Sequence, residues 1–128
     1  MEDSNINYRI LIVDDSSVMR KGIMDLIKSG GISARFTEAG NGEDALESYM
    51  KIRPDLVTMD INMPGIDGIE ALKQILDFDR KAKIIMLTTE ADKKRIIEAV
   101  SIGAKNYIIK PMDKEKSLEK IRNALESE

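Results

Sequence analysis

The sequence predicts an α/β domain: a doubly wound, five-stranded parallel sheet with helices on both faces. Three observations predict it. Short apolar runs alternate with helix-period segments about five times along the chain, which is the signature of repeated βα units. All but the second of these runs are nearly continuous hydrophobic stretches, as strands covered on both faces require. Glycine, proline and asparagine punctuate the boundaries between elements.

Residues 1–8 are polar and are expected to form a flexible tail. The first strand is predicted from Arg9–Val13. The helix after it carries Met19, Ile23, Leu26 and Ile27 on one face and stops at Gly30-Gly31. Arg35–Ala39 includes Arg35 and Thr37 and reads as an edge strand. Asn41-Gly42 opens the second helix, with Ala45, Leu46, Tyr49 and Met50 as its apolar stripe, and Pro54-Asp55 closes it. Leu56–Met59 is the third strand, and Ile69, Leu72, Ile75 and Leu76 mark the third helix. Lys83–Leu87 is the fourth strand. Ile96, Ile97 and Val100 mark the fourth helix, which Gly103 ends. Asn106–Ile109 is the fifth strand, and Leu118, Ile121 and Leu125 mark the fifth helix. Met19, Met24 and Met50 read as core filler. The folded domain is expected over residues 9–125, with a C-terminal tail over 126–128 and no linker, repeat or second domain.

Parallel strands joined by helices need right-handed crossovers. Five units give a small doubly wound fold, whose commonest order is the flavodoxin-like 2-1-3-4-5, with a ligand crevice at the carboxyl ends of the strands.

A chain of 128 residues buries about two-thirds of its unfolded surface, enough for one domain without a disulfide or metal staple. A net charge of −3 with interleaved signs gives no reason to expect nucleic acid or membrane as a partner. The absence of cysteine rules out disulfides and thiol chemistry, and the absence of histidine rules out histidine metal sites and a phosphohistidine role. No basic-then-apolar leader and no apolar run of about 18 residues is present, so a cytoplasmic location is expected.

The crevice rule collects the reactive side chains. The first strand ends in Asp14-Asp15, the third in Asp60, the fourth in Thr88 and the fifth in Lys110, followed by Pro111. Three carboxylates in one small space repel, and a divalent cation relieves that conflict. An all-oxygen donor set favours a hard ion, here Mg²⁺. Asp60 is then a candidate nucleophile toward phosphorus, with Lys110 and the metal neutralising the phosphoryl oxygens and Thr88 donating to one of them. Taken singly, each residue has a plainer reading. Asp14 to Ser17 can cap a helix, Asp60 can be a turn acid before Asn62-Met63-Pro64-Gly65, Thr88 can be a cap, and Lys110 can be a solvated charge. Their convergence at one end of a parallel sheet favours the joint reading. The Lys110–Pro111 bond is expected to be cis.

Leu11-Ile12-Val13-Asp14-Asp15, Met59 through Gly68, Leu87-Thr88-Thr89-Glu90-Ala91 and Ile109-Lys110-Pro111 together resemble the receiver domain of two-component response regulators, over Tyr8 to Leu125. The resemblance implies that Asp60 is the phosphoacceptor. It also implies that Asp15 binds Mg²⁺ directly, Asp14 mainly through water, and the Asn62 backbone carbonyl as a further ligand. Thr88 would grip the phosphoryl group, Lys110 would pair with it, and Tyr107 would be the aromatic that reports the state. The chain length, Asn62 and Glu90 look most like the chemotaxis subgroup. Thr89 is larger than the residue usual there, which bears on the rates of phosphoryl entry and hydrolysis. Asn62, Thr89, Glu90 and Pro111 are thus the expected modulating positions.

The implied partners are a histidine kinase, a dedicated phosphatase, and a target that reads the face built from the fourth helix, fifth strand and fifth helix. Lys93, Lys94, Lys105, Lys114, Lys116 and Lys120, with Arg95, lie on or beside those elements, so an acidic or amphipathic partner segment is expected. Beyond its own phosphorylation and dephosphorylation, no enzyme activity is expected. The competing readings are a phosphorelay receiver outside chemotaxis, a small Asp- and Mg²⁺-dependent phosphatase, a nucleotide- or flavin-binding protein and a phosphorylation-independent interaction domain. The phosphatase class would place its nucleophile after the first strand. The nucleotide class needs a glycine-rich loop where Asp14-Asp15-Ser16 stands.

Overall fold

The computed structural model describes residues 7–89 and 92–127. The expected N-terminal tail therefore lies almost wholly outside the described residues, as does Glu90. The elements alternate as expected: β1 (Tyr8–Val13), α1 (Ser17–Ser29), β2 (Ala34–Ala39), α2 (Gly42–Ile52), β3 (Leu56–Asp60), α3 (Gly68–Phe78), β4 (Ile84–Thr89), α4 (Lys93–Ile102), β5 (Asn106–Lys110) and α5 (Lys114–Glu126). The strands lie in the order β2-β1-β3-β4-β5, every pair parallel. β1 starts one residue before its apolar run, and α5 continues to Glu126.

Side chains alternate across a strand, and here both faces are covered. Ile10 and Ile12 join Leu56, Ile85, Leu87 and Ile108 in a core with Ile23 and Ile27 of α1 and Ile121 and Leu125 of α5. Leu11 and Val13 join Val57, Met59, Ile84 and Met86 in a second core with α2, α3 and α4. Each fully buried aliphatic side chain contributes about 1.5–3 kcal/mol, so these continuous apolar strands fix the sheet at the centre.

The helix starts follow local chemistry. Ser16, Asn41, Asp67 and Asp113 each accept from the amide three residues on, at the heads of α1, α2, α3 and α5. At the C-terminus of α2, Arg53 takes φ 44 and its amide closes on Tyr49 O at 2.8 Å. Pro54 disfavours the right-handed helical region at Arg53, which helps end α2 there. The Arg53 guanidinium lies 4.8 Å from the centre of the Phe78 ring.

Three apolar residues do not pack as the periodicity predicts. Met50 is exposed, because α2 presents Ala45 and Tyr49 to the core and Met50 lies a further 100° or so around the helix. Ile97 and Val100 are 69% and 45% exposed, while Ile96 and Ala99 face the sheet. α4 therefore carries two apolar stripes. One is buried and one is turned outward toward β5.

Candidate functional site

The strand register brings the chemistry together. Val13 pairs with Met59 and Asp60 with Leu87, so Asp14, Asp60 and Thr88 emerge at the same edge of the sheet. Thr89 pairs with Lys110, which brings the fifth strand to that edge as well. Asp14 and Asp60 are buried and Asp15 is exposed. One carboxylate oxygen from each of Asp14, Asp15 and Asp60 lies within 4.8 Å of the others. Lys110 Nζ sits 3.3 Å from Asp14 Oδ2 and 3.6 Å from Asp60 Oδ1. The Lys110–Pro111 peptide bond is cis.

Burial, followed by the neighbouring Asp14 carboxylate, pushes the Asp60 carboxyl above its ordinary range. Lys110 and the Asn62 amide pull it the other way, and Asp15 adds to the upward push. The Asn62 amide donates to Asp60 Oδ1 at 3.3 Å, and the Ser16 amide donates to Asp14 Oδ1 at 2.9 Å. The donor set is oxygen only and carries excess negative charge, with one ammonium to balance it. A small divalent cation fits that chemistry, and a soft metal does not.

The local backbone is built for the cluster. Gly68 opens α3 directly against the end of β3, and its amide donates to Ile61 O at 2.8 Å. A Cβ there would stand 2.2 Å from the Asp60 carbonyl oxygen, so no side chain fits.

Thr88 is buried at this edge but is not turned toward the carboxylates. Its hydroxyl donates to Asp92 Oδ2 at 3.1 Å. Thr89 is exposed beside it. Tyr107 is 37% exposed, with the Lys120 ammonium 4.5 Å from its ring centre and donating to its carbonyl oxygen at 2.6 Å. Tyr107 is thus on the outer wall of a groove of about 790 Å³, lined also by Lys93, Ile96, Ile97, Val100 and Ile109.

Five residues beyond the expected site set, Asp92, Arg95, Asp67, Arg20 and Glu38, belong to the surroundings of the site. Asp92 accepts from Asn62 Nδ2 at 2.7 Å as well as from Thr88, and the Asn62 amide holds its carboxyl below the usual carboxylate range. Arg95 donates to Asn62 Oδ1 at 3.3 Å and forms an ion pair with Asp67. Arg20 donates through Nη1 to the Asp14 carbonyl at 2.6 Å and through Nε to Glu38 at 2.8 Å. The placement of Asp92 four residues after Thr88, and of Arg95 three residues further on, was the only sequence signal for this network.

The family model for the response regulator receiver domain matches residues 10–122. The chemotaxis protein CheY of Bacillus subtilis is 45% identical over 118 residues, covering 92% of this chain and 98% of that protein. The chemotaxis protein CheY of Treponema pallidum is 44% identical over 120 residues, covering 92% of this chain and 83% of that protein. Among solved structures, the CheX–CheY–BeF3–Mg complex from Borrelia burgdorferi matches with a TM-score of 0.88 at 32% identity, covering 99% of this chain and 96% of that one. No described helix is long and apolar enough to cross a membrane.

Proposed function

Because the chain belongs to the response regulator receiver domain family, we propose that it is a chemotaxis-type phosphorylation switch, with Asp60 as the phosphoacceptor and a histidine kinase as the donor. The observation that carries this reading is the cluster of Asp14, Asp15 and Asp60 with Lys110 Nζ 3.3 Å from Asp14 and 3.6 Å from Asp60. Three carboxylates able to hold a divalent cation, one of them a candidate nucleophile, and an ammonium share one crevice, which supports the reading.

Asp15, Asp60 and the Asn62 carbonyl would hold Mg²⁺ directly, and Asp14 through water. The ion supplies charge neutralisation at the phosphoryl oxygens. An Asp60 carboxylate oxygen attacks phosphorus, and the P–N bond to the donor imidazole breaks with its electron pair on nitrogen. An acyl phosphate forms. Lys110 balances the charge on the equatorial oxygens as it now balances Asp14 and Asp60. Hydrolysis reverses the state: water attacks phosphorus and the bond to Asp60 breaks. A dedicated phosphatase is a further partner in this reading, and the location is cytoplasmic.

The phosphoryl group brings roughly 1.5–2 negative charges and three acceptor oxygens. Thr88 turns to donate to it, Tyr107 follows inward, and the groove between α4 and β5 changes shape. A target segment with an apolar face and acidic flanks suits Ile97, Val100 and Tyr107 framed by Lys93 and Lys120. Relatives named for chemotaxis favour that output.

The test is incorporation of label from a phosphohistidine kinase, or from a small acyl phosphate with Mg²⁺. Wild type takes up one phosphoryl group and Asp60→Asn takes up none. Full labelling of the variant overturns the assignment.

A further inference from the structure

We propose that Asp92 is a positioning residue that competes with the phosphoryl group for the Thr88 hydroxyl, so that breaking the Thr88–Asp92 hydrogen bond is a step in the switch. The proposal rests on the phosphoacceptor reading above and adds a residue and an order of events to it.

Thr88 has one O–H proton to give. In this structure it goes to Asp92 Oδ2 at 3.1 Å. A phosphoryl group on Asp60 needs the same proton. It is the stronger claimant, because it carries more negative charge and three acceptor oxygens. The two acceptors also repel each other, so they cannot share the hydroxyl.

Asp92 has a place to be released from and a place to go. The same Oδ2 accepts from Asn62 Nδ2 at 2.7 Å, and the backbone amide of Asn62 donates to Asp60 Oδ1 at 3.3 Å. Asn62 Oδ1 in turn accepts from Arg95 of α4 at 3.3 Å. The carboxylate therefore ties the end of β4 and the loop after β3 to the first turn of α4. Asp92 occupies the N-cap position of α4, where its side chain makes no cap hydrogen bond. At the heads of the other four helices the cap side chain bonds its own first turn. The Asp92 carboxylate is engaged by Thr88 and Asn62 instead. Once Thr88 turns away, that carboxylate keeps Asn62 Nδ2 of these two partners and can swing about that bond toward the amides of α4, as the other caps do. α4 carries Ile96, Ile97 and Val100 into the groove beside Tyr107. The exchange at Thr88 thereby reaches the groove through the head of the helix that lines it.

The experiment is a double-mutant cycle read by beryllofluoride binding in the presence of Mg²⁺. Affinity is measured from amide chemical shifts for wild type, Asp92→Ala, Thr88→Ala and the double variant. Removing a competing acceptor should tighten beryllofluoride binding roughly three- to tenfold when Thr88 is present. In the Thr88→Ala background the same removal should leave the affinity unchanged. The Thr88 methyl carbon of ligand-free Asp92→Ala should shift toward its position in beryllofluoride-bound wild type. Asp92→Asn keeps the shape with a weaker acceptor and should fall between wild type and Asp92→Ala.

Affinities of both Asp92 variants equal to or weaker than wild type overturn the proposal. Equal tightening in the Thr88→Ala background also overturns it, because that is charge repulsion alone. If Asp60→Asn binds beryllofluoride as wild type does, the phosphoacceptor reading itself has failed, whatever the Asp92 variants do.

Discussion

Gly68 packs edge-on against Asp60: a Cβ at position 68 would stand 2.2 Å from the Asp60 carbonyl oxygen and 2.7 Å from the Ile61 Cα. Both neighbours are backbone, so neither can rotate away. Gly68→Ala must push α3 and the end of β3 apart. The expected cost is about 1–3 kcal/mol of stability, the usual range for forced overpacking. The displaced carboxylate should also accept the phosphoryl group more slowly. A urea midpoint together with the rate of labelling by a small acyl phosphate checks both effects. A variant with wild-type stability would show that the backbone yields here.

Asp15 is the exposed member of the carboxylate cluster, free to bind a cation that arrives from solvent. Asp15→Ala should lower Mg²⁺ affinity by roughly tenfold or more, since Mg²⁺ leans on one or two carboxylates. Titration followed by amide chemical shifts measures it. Unchanged affinity would remove the metal site from Asp15.

The raised Asp60 carboxyl has a definite sign in the stability of the metal-free protein. The folded state holds that proton more tightly than the unfolded chain does. Its contribution to stability is therefore present below the unfolded carboxylate value and is lost as pH rises through the raised folded value. In chelator, Asp60→Asn should match wild type at acid pH and exceed it near neutrality. Mg²⁺ should restore stability to wild type and raise the variant less, because the variant has lost one of the direct ligands. Urea midpoints across pH, with and without Mg²⁺, decide it. A variant less stable than wild type at neutral pH in chelator would contradict the sign.

The parallel sheet and its crevice were legible because both follow from alternation; the order 2-1-3-4-5 is only the commonest arrangement of five such units, and the resemblance, not the pattern, favoured it. Once five βα units are counted, Asp14, Asp60, Thr88 and Lys110 must share an edge. The direction of Thr88 follows from strand parity. Ile84 and Met86 face α2, α3 and α4, so Thr88, two residues on, belongs to that side. Asp14 and Lys110 continue from Ile12 and Ile108 on the opposite side. The outward stripe of α4 was not legible, because a hydrophobic period marks apolar residues without saying which of two adjacent stripes the sheet covers. Arg20 to Glu38 and Arg95 to Asn62 span 18 and 33 residues. No local pattern encodes polar contacts at that distance.

Ile97 is 69% exposed and makes one wall of the groove beside Tyr107. An exposed side chain can be changed with little effect on folding, about ±0.5 kcal/mol. Ile97→Ser should therefore keep its stability and its phosphoryl uptake. Its affinity for the phosphorylation-dependent target should fall by roughly tenfold or more, as for an apolar anchor in a binding groove. The urea midpoint, label uptake and target titration are measured on one preparation. Wild-type target affinity would place the docking surface elsewhere.

Thr88 is the residue through which the phosphoryl group and the groove are coupled in this reading. Its hydroxyl donates to Asp92 at 3.1 Å, so it has to be recruited away before it can serve the phosphoryl group. Moving a population from mostly inactive to mostly active takes about 5.5 kcal/mol of differential stabilisation. Charge-assisted hydrogen bonds at about 1.5–3 kcal/mol each can supply it only if several form together, so the loss of one is costly. Thr88→Ala keeps Asp60, Lys110 and the carboxylate cluster and should still accept the phosphoryl group. Fully phosphorylated, it should bind the target at least about tenfold more weakly than phosphorylated wild type, the equivalent of one such bond. The comparison must be made at equal phosphorylation, read from the intact mass of both proteins, so that a change in uptake is not mistaken for a change in coupling. If phosphorylated Thr88→Ala binds as tightly as wild type, the signal leaves the crevice by another route, and Tyr107 and α4 move without the help of Thr88.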